Sequence, residues 1–378
     1  MRKGILVIGA CLLICGLISA CAPGGAPPPP AGEKFVTFAS NSDFTGPVSG
    51  LEGPAEWAKA AYFAMVNKEK GGVDGVRINL ILYDTRYDTA RALSCFKKTL
   101  GEENFLQIYG GGTGQAKAIL PLAEKRNIVI TTPGGEYDLI TNPPSWMFAW
   151  GPSYADAFAY FFDWCVADWQ KKGNSGMPKI GVMHWDNPFG RAWRKGGFEY
   201  AEGKGIPVHC VAFPATTVDY SPYIADLTGW GVNYMAEVTC EPTSGNIGTQ
   251  WYDFGVSEKA EELVHLFWTP ARTGGLKYHA EKFEGQKAIS WYAMGDDMLA
   301  SDLVNHVWTT YGGPGQKGAT MVDCPDSVSF GIVLAMRLEK ALKIALDEVG
   351  YESIDGLALK GALEKLTGFD PAGLAGPT

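Results

Sequence analysis

The chain has 378 residues, 46% of them apolar, and carries 32 basic against 41 acidic side chains for a formal charge of −9. That length allows two domains with a core each, and the acidic balance disfavours nucleic acid or an anionic lipid face as the main partner. The histidines (His184, His209, His265, His279, His306) lack metal-ligand spacing. Beyond the N-terminal region, Cys95, Cys165, Cys210, Cys240 and Cys324 form no C-x-x-C pair and are odd in number, which excludes a small disulfide scaffold. No metal and no cofactor is expected.

Arg2 and Lys3 precede an apolar run from Ile5 to Ile18 that is too short to span a bilayer comfortably, and Ser19 and Ala20 lead into Cys21. This arrangement resembles the lipobox of bacterial lipoproteins, which implies removal of residues 1–20 and acylation of Cys21. Residues 21–33, with their Pro, Gly and Ala and the run Pro27 to Pro30, read as a tether that cannot bury a core. No later apolar run reaches spanning length. An extracytoplasmic domain held at a membrane surface by acyl chains on Cys21 is expected.

From Phe35 onward, short apolar strands alternate with amphipathic helices, the pattern of a parallel sheet with crossover helices. The first half reads as strand Phe35 to Ala39, polar loop Ser40 to Gly53, a helix opened by Pro54, strand Val76 to Leu82, helix Asp88 to Leu100, strand Phe105 to Tyr109, a glycine loop with a helix to about Lys125, and strand Ile128 to Thr131. A second alternation follows Gly151-Pro152: helix Tyr154 to Gln170, strand Lys179 to His184, helix Arg191 to Gly203, strand Val208 to Phe213, helix Ser221 to Trp230 and strand Tyr234 to Thr239. Between Glu241 and Gly285 only a helix at Ser257 to Leu266 is suggested; helices at Asp326 to Val349 and Leu357 to Leu366 follow. Two α/β lobes in tandem are expected.

Four signatures then occur in order: Thr45-Gly46-Pro47; Asn67 with Gly71-Gly72-Val73-Asp74-Gly75 and a strand ending Tyr83-Asp84; Thr132-Pro133-Gly134-Gly135; and Asp219-Tyr220-Ser221-Pro222. With these, the chain resembles the type I periplasmic binding proteins of the leucine/isoleucine/valine-binding class, receptors of ABC importers. The resemblance implies two Rossmann-like lobes joined by crossover strands, with residues 34–151 plus 294–378 as lobe 1 and 152–293 as lobe 2. It also implies a monomer that binds a small polar ligand, such as a branched-chain or other amino acid or a related amide or carboxylate, and passes it to a permease in the cytoplasmic membrane. Carried over, Thr113 with Gly112, and Gly134, Gly135 and Glu136, become ligand contacts of lobe 1. Phe189 covers the ligand from lobe 2, and Cys240 or Glu241 falls near a second such position. Tyr87 and Gly112 stand where some members have a disulfide, and the amine-binding acid of lobe 2 has no match at Trp268-Thr269.

Rival readings fare worse. The loop Gly110 to Gly114 lacks the G-x-G-x-x-G spacing and any Gly-Lys-Ser/Thr, and no G-x-S-x-G elbow is present, so neither a nucleotide enzyme nor a hydrolase is expected. The rings from Trp146 to Trp169 have the spacing of a packed helix face rather than a sugar platform. A ligand-sensing or scaffold lipoprotein that keeps the fold without transport is the alternative. Where the chain stops, at Gly376-Pro377-Thr378, the family continues into a third crossover. Two crossovers, near Gly151 and Ala293, and an exposed sheet edge in lobe 2 are therefore expected.

Overall fold

The computed structural model describes residues 23–25, 32–140, 145–267, 275–312 and 324–376; Cys21 and the pair Trp268-Thr269 lie outside the described residues. The first sheet contains β1 (Pro23–Gly25), β2 (Phe35–Ser42), β3 (Arg77–Asp84), β4 (Phe105–Tyr109), β5 (Val129–Thr132) and β6 (Met147–Ala149) in the order β1-β3-β2-β4-β5-β6, all parallel except β1. The second contains β7 (Ile180–Trp185), β8 (Val208–Phe213), β9 (Tyr234–Val238), β10 (Glu262–Leu266) and β11 (Lys287–Ile289) in the order β11-β10-β9-β7-β8, all parallel. Parallel strands need crossovers, and helices supply them on both faces.

Helix α1 (Ser49–Glu69) follows β2, α2 (Thr89–Thr99) follows β3, α3 (Thr113–Lys125) follows β4 and the short α4 (Tyr137–Ile140) follows β5. In the second half α8 (Ser221–Trp230) lies between β8 and β9, α10 (Gly275–His279) precedes β11 and α11 (Gly295–Leu299) follows it. Asn67 near the end of α1 bonds both ways to Ile78, donating from Nδ2 to its carbonyl at 2.8 Å and accepting its N–H at 2.9 Å, which fixes where β3 starts. Helix α1 begins five residues before Pro54, where the sequence suggested a loop. The carboxylate of Asp43 accepts the N–H groups of Thr45, Gly46 and Val48, so the turn after β2 is ordered early and the helix propagates through the proline.

In the second half, α5 (Tyr154–Lys171) packs on α7 (Arg194–Gly203) through the aromatic cluster. Phe158, Phe161 and Phe162 have no exposed surface, and Phe158 stacks on Trp193 at 3.9 Å, so these rings are core. The expected helix from Arg191 is broken twice: α6 (Pro188–Arg191) ends before Ala192-Trp193, and α7 is itself kinked near its start, where Lys195 and Gly196 leave helical geometry. The expected helix at Ser257 to Leu266 is corrected: the helix of this region is α9 (Thr243–Asp253), and Glu262–Leu266 is the strand β10, central in its sheet. A short apolar run buried on both faces has no periodicity to separate strand from helix. Strand β11 is exposed at all three residues.

After β11 the chain leaves this sheet. Helices α12 (Asp302–Tyr311), which the sequence did not suggest, and α13 (Ser327–Val349) pack on α1, while α14 (Gly356–Glu364) packs on β4, β5 and α13. The segments between the sheets lie together: Trp150 to Ser153, Ser290 to Ala293, and a third stretch at Leu374-Ala375, where Ala375 bridges antiparallel to Tyr292 and the Ala293 N–H donates to the Leu374 carbonyl at 2.7 Å. The junction therefore holds three neighbouring segments where two were expected.

Helices α1 and α13 approach closely because position 331 is glycine. A β-carbon there would run into the Ala55 carbonyl. Gly331→Ala should lower the global unfolding free energy by about 1–3 kcal/mol through overpacking, measured by urea denaturation, whereas the same change at solvent-facing Gly361 should leave it unchanged or raise it slightly.

Candidate functional site between the two sheets

The strands of both sheets point their carboxyl ends at a common cleft, so the loops after β3, β4 and β5 meet those after β7 and β9. A β-carbon at Gly114 would lie 3.1 Å from Pro188 Cγ, the rings of Tyr87 and Trp185 meet edge-on with centroids 6.3 Å apart, and Lys195 pairs with Asp138. The lips of the cleft are in contact. Helix N-termini with unpaired N–H groups collect at such a place and favour anionic ligand groups.

Thr113 is the first residue of α3 and is 9% exposed. Its hydroxyl and its N–H have no hydrogen-bond partner among the described residues. Gly112 behaves differently: its N–H donates to Gln115 Oε1 at 3.0 Å, and its α-carbon is covered by the Tyr87 ring, which leaves no room for a side chain. Gly134 is covered in the same way by Tyr154, whose ring would lie 2.7 Å from a β-carbon there, and Tyr154 meets Phe189 edge-on at 5.5 Å. Phe189 is buried, at the start of α6. Thr113, Gly112, Gly134 and Phe189 are thus gathered around two tyrosines, Tyr87 and Tyr154.

The other residues of the sequence-derived set divide. Gly135 packs on Ile140, and its carbonyl accepts the Tyr154 N–H at 3.0 Å, which gives it a place in the hinge. Glu136 pairs with Lys117 of α3 at 2.7 Å, an engagement within the first lobe that the sequence did not suggest. Cys240 is buried in the cleft. Burial pushes its thiol well up, and Glu237, Glu52 and Glu241 push it further, so it is a protonated thiol and no nucleophile. Glu241 lines a cavity of 440 Å³ between the lobes, together with Ser49 and Gly50 at the start of α1 and Gly245 and Asn246 in the first turns of α9. Among the described residues no group of His, Cys, Asp or Glu could hold a metal ion.

Sequence reasoning missed a buried charged cluster on the cleft side of α1. Lys59 pairs with Glu56 at 2.6 Å, donates to Ser40 Oγ at 2.6 Å and lies over the Tyr109 ring. Glu52 accepts the Asp43 N–H at 2.7 Å. Burial and then the neighbouring Asp43 charge push the Glu52 carboxyl well above the usual range, and burial raises Asp43 itself against the opposing N–H groups of Val48, Gly46 and Thr45. The Glu56 and Lys59 spacing was readable as one helix face, but the sequence put Glu52 in the preceding loop, and nothing in a single sequence says that a charged face is turned inward.

A raised carboxyl contributes stability that is fully present below its ordinary value of 4.5 and is lost as pH rises through its folded value. Glu52→Gln keeps an acceptor for the Asp43 N–H and removes that loss. The variant should match wild type in thermal unfolding at pH 4 and exceed it by a few degrees at pH 8; a lower Tm at pH 8 would contradict the buried-acid account.

The fold and cleft are those of a two-lobed α/β protein with a site between its lobes. Residues 36–378 match the family described as periplasmic binding protein, and the chain belongs to that family. No curated protein matches the sequence. Among solved structures, it is similar to a branched-chain amino acid ABC transporter protein from Thermus thermophilus with bound valine (20% identity, 91% of this chain and 87% of that one, TM-score 0.75). It is also similar to a fatty acid ABC transporter substrate-binding protein from Thermomonospora curvata (17% identity, 94% and 86%, TM-score 0.73) and to a leucine-binding protein from Thermotoga maritima (18% identity, 90% and 90%, TM-score 0.70).

Proposed function

We propose that the protein is an extracytoplasmic solute receptor of an ABC importer that closes its two lobes on a small zwitterion, an amino acid or a close relative. The observation that carries this reading is the hydroxyl of Thr113, a residue with 9% of its surface exposed, which has no partner among the described residues at the N-terminus of α3, with its neighbour Gly114 against Pro188 of the other lobe. A ligand carboxylate meets this hydroxyl and the adjacent N–H groups where the helix dipole favours it. Asp43 and Glu241, rather than Glu52 whose carboxyl burial pushes well up, make the opposite part of the cleft suited to an ammonium group. A ligand whose only charge is negative, as in the fatty acid relative, gains nothing from those acids. Phe189, Tyr87, Tyr154 and Trp185 exclude water, and closure is stabilised only by the ligand's preference for the closed form.

Thr113→Ala should weaken binding of the preferred amino acid by about one to two decades, the loss of a hydrogen bond to a charged group, with the apo Tm lowered by no more than a few degrees. Titration calorimetry against an amino acid panel reads this. An unchanged curve would move the site off α3.

Cys21 carries the acyl anchor in this reading. Cys95 is disulfide-bonded, while Cys165, Cys210, Cys240 and Cys324 are free thiols. In cells that process lipoproteins, the wild type should partition with membranes, and Cys21→Ala should become soluble. A Cys21→Ala protein that stays membrane-bound would place the anchor elsewhere.

A further inference from the structure

Helix α13 touches two of the segments that join the sheets. Near its start, the Ser329 hydroxyl donates to the Ala293 carbonyl at 2.5 Å, and Asp326 just before it accepts the Gly295 N–H at 2.9 Å. Two turns further on, Arg337 Nη1 donates to the Trp150 carbonyl at 2.6 Å, with the guanidinium 5.4 Å from the centroid of the Trp150 ring. Trp150 is the last residue before Gly151, where the chain passes from one lobe to the other. Gly151 is confined as well: a β-carbon there would lie 2.5 Å from the Trp291 indole of the second segment.

Arg337 is 2% exposed and has no carboxylate partner among the described residues. Its Nε has no hydrogen-bond partner there either, and burial brings its ordinarily high pKa down to about 10. A buried cation without a counter-ion is a poor device for stability, because an apolar side chain of similar volume fills such a place at lower cost. Its hydrogen bond to the crossover carbonyl is charge-assisted and directional, and it acts on the residue at which the lobes pivot.

We infer that Arg337 is a positioning residue for ligand capture: by holding the Trp150 carbonyl it fixes the lobe 1 end of the first crossover and sets the balance between open and closed lobes. Rotation is then confined to Gly151 to Ser153 and the facing Ser290 to Trp291, and the crossover is held at an angle that lets Gly114 reach Pro188 and Tyr87 reach Trp185. Arg337 touches neither the cleft nor a ligand. This inference rests on the two-lobed reading of the protein but not on any ligand.

The test uses the full chain with a donor and acceptor dye pair at exposed Lys97 of α2 and exposed Lys204 beyond α7, each changed to cysteine in a background in which Cys165, Cys210, Cys240 and Cys324 are serine or alanine. Single-molecule energy transfer in buffer alone reads the open and closed populations. Arg337→Met should shift the closed-to-open ratio by about tenfold toward open, the effect of losing one charge-assisted hydrogen bond. Its Tm should be equal to or above that of the arginine protein, since a buried charge has been removed. Arg337→Lys, which keeps one donor for the Trp150 carbonyl, should recover most of the closed population. A merely structural role would lower Tm and leave the populations alone. Unchanged populations in Arg337→Met, or Arg337→Lys as open as Arg337→Met, would overturn the inference. Populations that respond as expected while no amino acid binds Thr113 would instead remove the ligand reading and leave the hinge intact.

Discussion

The constraint from which the rest follows is that all the strands of each sheet but β1 run the same way and end on the same cleft. A parallel strand is followed by a helix whose first N–H groups have no intrahelical partner, and those groups gather at the carboxyl ends of the strands. Two such sheets set face to face make a site polar at its floor and low in dielectric once closed. In the proposed site such polar groups discriminate: a ligand that left the Thr113 hydroxyl unpaired there would suffer more than it would in water.

Closure needs freedom at the junction and rigidity on either side of it. The first lobe is rigid because α1 and α13 meet without an intervening side chain at Gly331 and because the Lys59 and Glu56 pair is wholly buried. Such a pair adds little net stability, since desolvation offsets the attraction, but it fixes how α1 sits on β2 and β4 through Ser40 and the Tyr109 ring. In the second lobe, His265 lies between Glu237 Oε1 at 3.0 Å and Gln286 Oε1 at 2.7 Å, and Gln286 Nε2 donates to the Gly248 and Lys282 carbonyls. This buried network ties β9 and β10 to α9. Mobility is thereby left to the few residues between the sheets.

Much of the fold was legible because strand and helix periods differ. The strand Phe105–Tyr109 and the helix Ser221–Trp230 stand where the pattern put them, and Asn67 with the glycine turn marked the start of β3. The stretch from Glu241 to Gly285 was not legible, because α9 is built of Gly, Thr, Ser and Asn with little helix propensity and β10 is buried on both faces. At the candidate site, the glycine loop and Thr113 were readable as a strand-to-helix turn. Tyr87 was not readable as a cover for Gly112: its backbone has φ 58° after Arg86 at φ 52°, a pair of left-handed residues that no local pattern announces. Glu136 was readable as a loop acid beside a glycine pair, but its pairing with Lys117 was not, because only the fold brings that lysine to it.

The central claim is that one small zwitterion binds between the lobes at the N-terminus of α3. Native mass spectrometry of the protein incubated with a mixture of the standard amino acids tests it most directly. The account predicts a single 1:1 adduct that saturates in the wild type and loses most of its occupancy in Thr113→Ala. No adduct in the wild type, or equal occupancy in the two proteins, would contradict it.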